Sequence, residues 1–168
     1  DVRTVLGAGS RFIIRLPLTL AIIDGFLTSV GDASYVIPLD SVVECLELRD
    51  DDTRGHMLNL RGEVLPFIRL REFFDIDGQR PQRENVVVIS AGGQKAGIVV
   101  DQLLGEFQTV IKPLGSLFKH LRGIGGSTIL GSGEVALILD VQALNQLAGQ
   151  SEERRTHPRH ALSAEEQK

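Results

Sequence analysis

The 168-residue sequence holds a single cysteine, Cys45, a single tyrosine and no tryptophan. A lone thiol excludes an internal disulfide and any cysteine-based zinc cluster. Seven phenylalanines complete the aromatic set, and none is grouped into the paired stacking platforms that single-stranded nucleic acids require. The formal net charge of −4 is made of both signs, scattered along the chain. There is therefore no basic stripe of the kind that displaces counterions from a nucleic acid. Long hydrophobic runs are also missing. The greasiest stretch, Leu16 to Leu27, is interrupted by Pro17, Asp24 and Gly25, which makes it too short and too broken to span a bilayer. These absences lead to the expectation of a cytoplasmic protein with no nucleic-acid partner and no membrane insertion. The first residue is not Met and the sequence begins mid-pattern, so a piece of a longer protein is expected.

What the chain does have is 18 glycines and an apolar set dominated by Val, Ile and Leu, the signature of strands and tight turns. A chain of this length buries about two thirds of its unfolded surface, enough for a real core. From Leu18 the even positions alternate in the period of a strand up to the turn-like "VGDAS", and "YVIPLDSV" reads as the return arm. Pro38 lacks an amide donor, so that arm should run along an edge or end there. "VVECLEL" (42–48) reads as a strand and 49–56 as a polar loop. "MLNL" and "VLPFIRL" read as strands joined at Arg61-Gly62-Glu63, followed by one helical turn at "LREFFD" and a polar linker over 75–85. "VVVIS", "AGGQ" and "KAGIVVDQLL" form a hairpin, and "GEFQTVIKPL" extends further. Residues 115–126 read as a glycine-rich connector, and "STILGSGEVALIL" as the clearest hairpin. Asp140 is placed to cap a short helix ending at Gln146 or Leu147, with Ala143, Leu144 and Leu147 inward. The tail after Gly149 is polar and is expected to be disordered or a loosely held helix. Such regular spacing of short strands points to an all-β fold of small barrels or a sandwich.

The search for chemistry leaves little. His56 and His120 stand alone, and His157 and His160 flank Pro158 in the polar tail, so no metal site is expected. Cys45 lies in an apolar strand beside Glu44 and Glu47, which should raise its pKa and leave it a packing residue. "GAGS" (7–10) and "GIGGS" (123–127) lack the lysine and the strand-to-helix setting of a phosphate loop. Asp50, Asp51 and Asp52 form a run rather than a facing pair. No catalytic residue, cofactor or metal is expected, and binding is what remains.

The sequence resembles a known family at four places in the right order. "RFIIRLPLTLAIIDGFLTSVGDASYVIPLDSVVECLEL" is similar to the junction, in chemotaxis histidine kinases of the CheA type, between the ATP-binding domain and the C-terminal regulatory domain. "LNLRGEVLPFIRLREFF" and "KAGIVVDQLLGEFQTVIKPL" resemble two stretches that this domain shares with the adaptor CheW. "ILGSGEVALILDVQAL" resembles the family's closing hairpin and helix. The resemblance implies two small intertwined, SH3-like, five-stranded β-barrels with short helices. It implies the end of an ATP-binding domain over 1–17, a CheW-like regulatory domain over 18–149 and a polar tail over 150–168. It further implies a non-catalytic fragment that binds a CheW-type adaptor and chemoreceptor tips, coupling receptor signals to a kinase that dimerises through a domain upstream. A free-standing CheW-type coupling protein, or a kinase of a twitching-motility or developmental pathway, is the alternative.

On that reading Gly62 allows a tight turn, and Arg61 is expected to pair with Glu44. Apolar docking anchors are assigned to Leu39, Val42, Leu58 and Leu65, and Val100 and Leu104 are assigned to a receptor-facing groove between the barrels.

Overall fold

The computed structural model describes residues 1–7, 9–14, 22–49, 53–114 and 121–156, the side chains of Arg54 and of residues 150–156 excepted. Leu18, Leu20, the run 50–52, His120, His157, His160 and the tail from 157 lie outside the described residues.

Alternating apolar and polar residues form strands wherever glycine can turn the chain back. Strand β3 (Ile22–Val30) turns through Gly31 into β4 (Ala33–Pro38), and a 3-10 helix (Leu39–Ser41) leads to β5 (Val42–Leu48). Pro38 ends its strand, as its missing amide requires, although β4 is central in its sheet. The expected polar loop over 49–56 contains a two-residue strand, β6 (Thr53–Arg54), which pairs with β7 (Met57–Leu60). Then come β8 (Glu63–Arg69), the single turn α1 (Leu70–Phe73), β9 (Glu84–Ala91) and β10 (Gln94–Val100). Strand β11 (Gln102–Val110) follows after Asp101 alone, so "KAGIVVDQLL" is divided between two strands in different sheets rather than forming one return arm. Strand β12 (Ile124–Ile129) takes in residues assigned above to the glycine-rich connector and pairs with β13 (Val135–Leu139). Near the N-terminus, β1 (Val2–Val5) and β2 (Gly9–Phe12) form an antiparallel hairpin.

Apart from the β1–β2 ribbon, the described strands make two curled sheets. The first, ordered β11-β3-β4-β13-β12, is barrel A. Lys112, two residues beyond β11, exchanges backbone hydrogen bonds of 2.8 and 3.0 Å with Ser127 of β12, so the two edges of the sheet meet. The buried hydroxyls of Thr109 and Thr128 are hydrogen-bonded inside that seam. The second sheet, ordered β5-β9-β10-β8-β7-β6, is barrel B; it has six strands rather than the expected five because of β6. All of barrel B is inserted between β4 and β11, so the barrels are intertwined by connectivity. Each uses one parallel pairing, β4 with β13 and β8 with β10, among otherwise antiparallel ones.

Three hydrophobic clusters result. Val36, Ala136 and Ile138 fill barrel A, and Leu58, Phe67, Val86 and Val99 fill barrel B. The largest cluster lies between them, with Tyr35 and Ile37 from barrel A meeting Val87, Ile89, Ile98 and Val100 from barrel B. This explains why "VVVIS" is apolar on both faces: Val86 points into barrel B and Val87 into the shared core. Tyr35 stacks on Phe74 with ring centroids 5.3 Å apart, and Phe74 meets Phe73 edge-on at 4.9 Å.

Helix α2 (Val141–Thr156) starts where expected, with the Asp140 carboxylate accepting from the Ala143 amide at 3.0 Å. It runs past Gly149 through residues with good helix propensity. The residues it buries are Val141, Leu144, Asn145 and Ala148; Ala143 and Leu147 are only half-buried. The Asn145 amide donates to the Ala91 and Gln94 carbonyls at 3.0 and 3.1 Å, which pins a helix that follows barrel A onto the β9–β10 hairpin of barrel B. Among the described residues no helix is long and apolar enough to cross a membrane.

Gly97 is where the interior of barrel B is tightest: a Cβ there would sit 2.9 Å from the Val86 Cγ2 and 3.0 Å from the Phe67 Cβ. Overpacking of this kind costs about 1–3 kcal/mol. Gly97→Val should lower the urea midpoint accordingly without changing the slope of the transition.

Candidate functional site

The tip of the β7–β8 hairpin is built by two residues in the left-handed region, Arg61 at φ 52° and Gly62 at φ 91°. Leu60 pairs with Glu63 across this two-residue loop, and two positive φ values in succession are the type I′ geometry that matches strand twist. Glycine adopts it freely, whereas arginine pays for it. The Asn59 side chain holds the turn by accepting from the Gly62 amide at 3.0 Å. Arg61 then reaches across the open end of barrel B to Glu44 on β5, with 2.9 Å between Nη2 and Oε2. Since β5 is an edge strand separated from β8 by β9 and β10, this pair clasps two parts of the rim that share no backbone bond. Arg61 is 79% exposed and Glu44 29%.

Next to Glu44 the pairing of β5 with β9 slips at Val43, a β-bulge. The extra residue of a bulge leaves the in–out alternation and is re-aimed, and Val43 is 49% exposed. Val64, beside the hairpin tip, is 59% exposed. Lys95 and Glu63 add a second rim ion pair at 2.8 Å. The end of barrel B thus presents β-branched apolar residues between two ion pairs. Val43 and Val64 were both missed by sequence reasoning: alternation alone does not reveal the bulge at Val43, and Val64 stands beside the equally apolar Leu65 with nothing local to say which of the two faces out.

A second bulge, at Leu104 where β11 pairs with β3, leaves that side chain 51% exposed. Leu39 and Val42 are half-buried where the 3-10 helix meets β3 and β9. Cys45 on β5 is near enough to Glu106 on β11 for that charge to act on its thiol, and Val42 and Cys45 both pack against the core shared by the barrels. The expected anchors Leu58 and Leu65 and the expected groove residue Val100 do not reach a surface. Leu58 is 0%, Leu65 3% and Val100 1% exposed, because each occupies the inward position of its strand. They are core residues, not docking anchors.

Burial pushes the Cys45 thiol above its ordinary value, aided by Glu106 and Glu44. The expected contribution of Glu47 is replaced by that of Glu106, from the other barrel. The GIGGS stretch (123–127) runs into strand β12, not into a helix, so it has no phosphate-loop geometry. Among the described residues no three of His, Cys, Asp and Glu converge as metal ligands.

Two measurements check this geometry. A double-mutant cycle of Glu44→Gln and Arg61→Gln should give a coupling of about 0.2–1 kcal/mol, as exposed pairs do, shrinking at high salt. Alkylation of Cys45 should stay slow at pH 8 and accelerate only above the range of an ordinary thiol, since only the thiolate reacts; Glu106→Gln should move that onset toward lower pH.

Comparison with known proteins places these features. The profile of the CheW-like domain family matches residues 24–148, well over half of the chain. The chain is 39% identical over 154 residues to the chemotaxis protein CheA of Salmonella typhimurium, covering 88% of this chain and 23% of that protein. It is 42% identical over 146 residues to CheA of Treponema pallidum, covering 83% of this chain and 18% of the relative. The sensor histidine kinase CheAY of Helicobacter pylori is 38% identical over 154 residues, with 88% and 19% covered. The chain therefore spans about a fifth to a quarter of the length of these relatives. Among solved structures, the scaffolding protein TtCheW of Thermoanaerobacter tengcongensis has the same fold, with a TM-score of 0.59 at 19% identity, over 71% of this chain and 89% of that one. A family match over residues 24–148, relatives that are CheA proteins and two barrels sharing one core have a single meaning: this chain belongs to the CheW-like domain family, in the form carried by CheA chemotaxis proteins.

Proposed function

We propose that this chain is the non-catalytic regulatory domain of a cytoplasmic chemotaxis histidine kinase, and that it docks a CheW-type adaptor and chemoreceptor tips to couple receptor state to kinase activity. The observation that carries this reading is the rim of barrel B. An arginine held in an unfavourable backbone conformation is clasped to Glu44, with Val43 and Val64 exposed beside it. Strained backbone persists only where its surroundings hold it, and it concentrates at binding and switch sites. Apolar residues ringed by polar ones are the pattern of an interface core and its rim. On this reading Val43 and Val64 are the anchors, Glu44 and Arg61 set register, and Leu39, Val42 and Leu104 line the receptor-facing seam.

The family relation also supports a division of the longer protein. Residues 1–17 end a preceding nucleotide-binding domain, and 18–149 are the docking domain. Every described residue of the β1–β2 hairpin is exposed, Val2, Val5 and Phe12 included. An isolated two-stranded hairpin is marginal in water without further strands or a covering layer, so these residues fit a sheet completed by upstream sequence. Catalysis, and dimerisation of the parent kinase, would reside there. No role is assigned to the tail 150–168.

Titration calorimetry of the chain with the CheW-type adaptor of the same organism tests this. Val43→Asp and Val64→Asp should each weaken binding at least tenfold, the scale of an anchor residue, while the melting transition remains cooperative. Glu44→Arg and Arg61→Glu should each weaken it, and the double swap should recover most of the loss. Absence of adaptor binding by the unaltered chain, or equal binding by all variants, would falsify the reading.

A further inference from the structure

One polar cluster lies away from the rim and seam, sealed between the barrels. Arg71 on α1 and Asp101 between β10 and β11 have side-chain exposures of 10% and 12%, and their charged groups are in direct contact. Asp101 Oδ2 also accepts from the amide of Gly31, at the β3–β4 turn of barrel A, at 2.8 Å. The Asp101 amide donates to the Ser29 carbonyl at 3.0 Å, and its carbonyl accepts from the Asn85 side chain of β9 at 3.0 Å. Arg71 donates to the Asp77 carbonyl at 2.8 Å and the Ile76 carbonyl at 3.4 Å. Its Nε is buried and has no partner among the described residues.

This cluster sits at one of the two described links between a strand of one barrel and a strand of the other, the second being the 3-10 helix at Leu39–Ser41. A buried ion pair adds little net stability over an apolar replacement, and fixing one arrangement among several is its better-attested use. The guanidinium fork is planar and directional, whereas a shared core of branched aliphatics holds two bodies together without selecting one angle as sharply. We propose that Arg71 and Asp101 are positioning residues: their ion pair acts as a latch that sets the angle between barrel A and barrel B. The rim lies on barrel B, while Leu104 and β11 lie on barrel A, so the same latch fixes the spacing between those surfaces.

Pulsed electron spin resonance gives the direct test. In a Cys45→Ala background, spin labels on Val64→Cys of barrel B and Val135→Cys of barrel A, both exposed positions, report the distance between the barrels. The parent should give one narrow distribution. Asp101→Asn and Arg71→Gln should each shift that distribution or at least double its width while far-ultraviolet circular dichroism and cooperative melting persist. An unchanged distribution in the folded variants overturns the proposal. Amide exchange on the unaltered chain decides the matter if those variants fail to fold. The Gly31 amide, held by the Asp101 carboxylate, should exchange through local opening at least tenfold faster than the Val36 and Val87 amides. Exchange of all three only through global unfolding, at one common rate, would make the cluster part of the core and end the latch reading.

Discussion

The constraint on which this molecule rests is a hydrophobic core that belongs to neither barrel alone. Tyr35 and Ile37 leave barrel A, and Val87, Ile89 and Ile98 leave barrel B, to meet between the sheets. A five- or six-stranded barrel of short strands encloses little apolar volume, and small cores supply little net stability. Strands that are apolar on both faces relieve this by serving two cores at once. The cost is interdependence. Because barrel B is inserted between β4 and β11, and α2 leaves barrel A to pack on barrel B, neither barrel is a free-standing unit of chain.

The surface follows from the same economy. With strand faces committed to cores, little apolar side-chain area is left for partners unless alternation is broken. The bulges at Val43 and Leu104 break it and turn those residues outward. At the hairpin tip the turn geometry itself does the placing: a left-handed Arg61 is aimed at Glu44 across the mouth of barrel B. The interior and the exposed apolar residues are thus drawn from one apolar set, separated by local irregularities in strand pairing.

Electrostatics divides in the same way. The rim pairs, Glu44 with Arg61 and Glu63 with Lys95, are solvent-exposed and worth little to folding; in the proposed docking role they would act on orientation and partner choice. The buried pair, Arg71 with Asp101, acts where water cannot screen it. It was not anticipated from the sequence. The one available signal was a single aspartate splitting the apolar run "GIVVDQLL", a position where a charge has no place unless something buried meets it.

By itself the sequence determined that short strands and tight turns alternate along the chain, because period-two alternation and glycine turns are local physics: β3, β5, β8, β9 and the turn of the β12–β13 hairpin were legible, as was the Asp140 cap, whereas the β10–β11 break and the start of β12 were not. It also determined that Arg61 and Glu44 could meet, since both fall in stretches with a family resemblance. Only the tertiary structure decided which face of each strand is inside. Leu58, Leu65 and Val100 sit in strands as apolar as their neighbours, and a strand's own pattern does not say which of two cores, or which partner, its side chains will face. Nor does it say where a bulge will shift the register, because that depends on the strand alongside. Long-range pairing sets both, which is why Val43 and Val64 are exposed while Leu58, Leu65 and Val100 lie in the core.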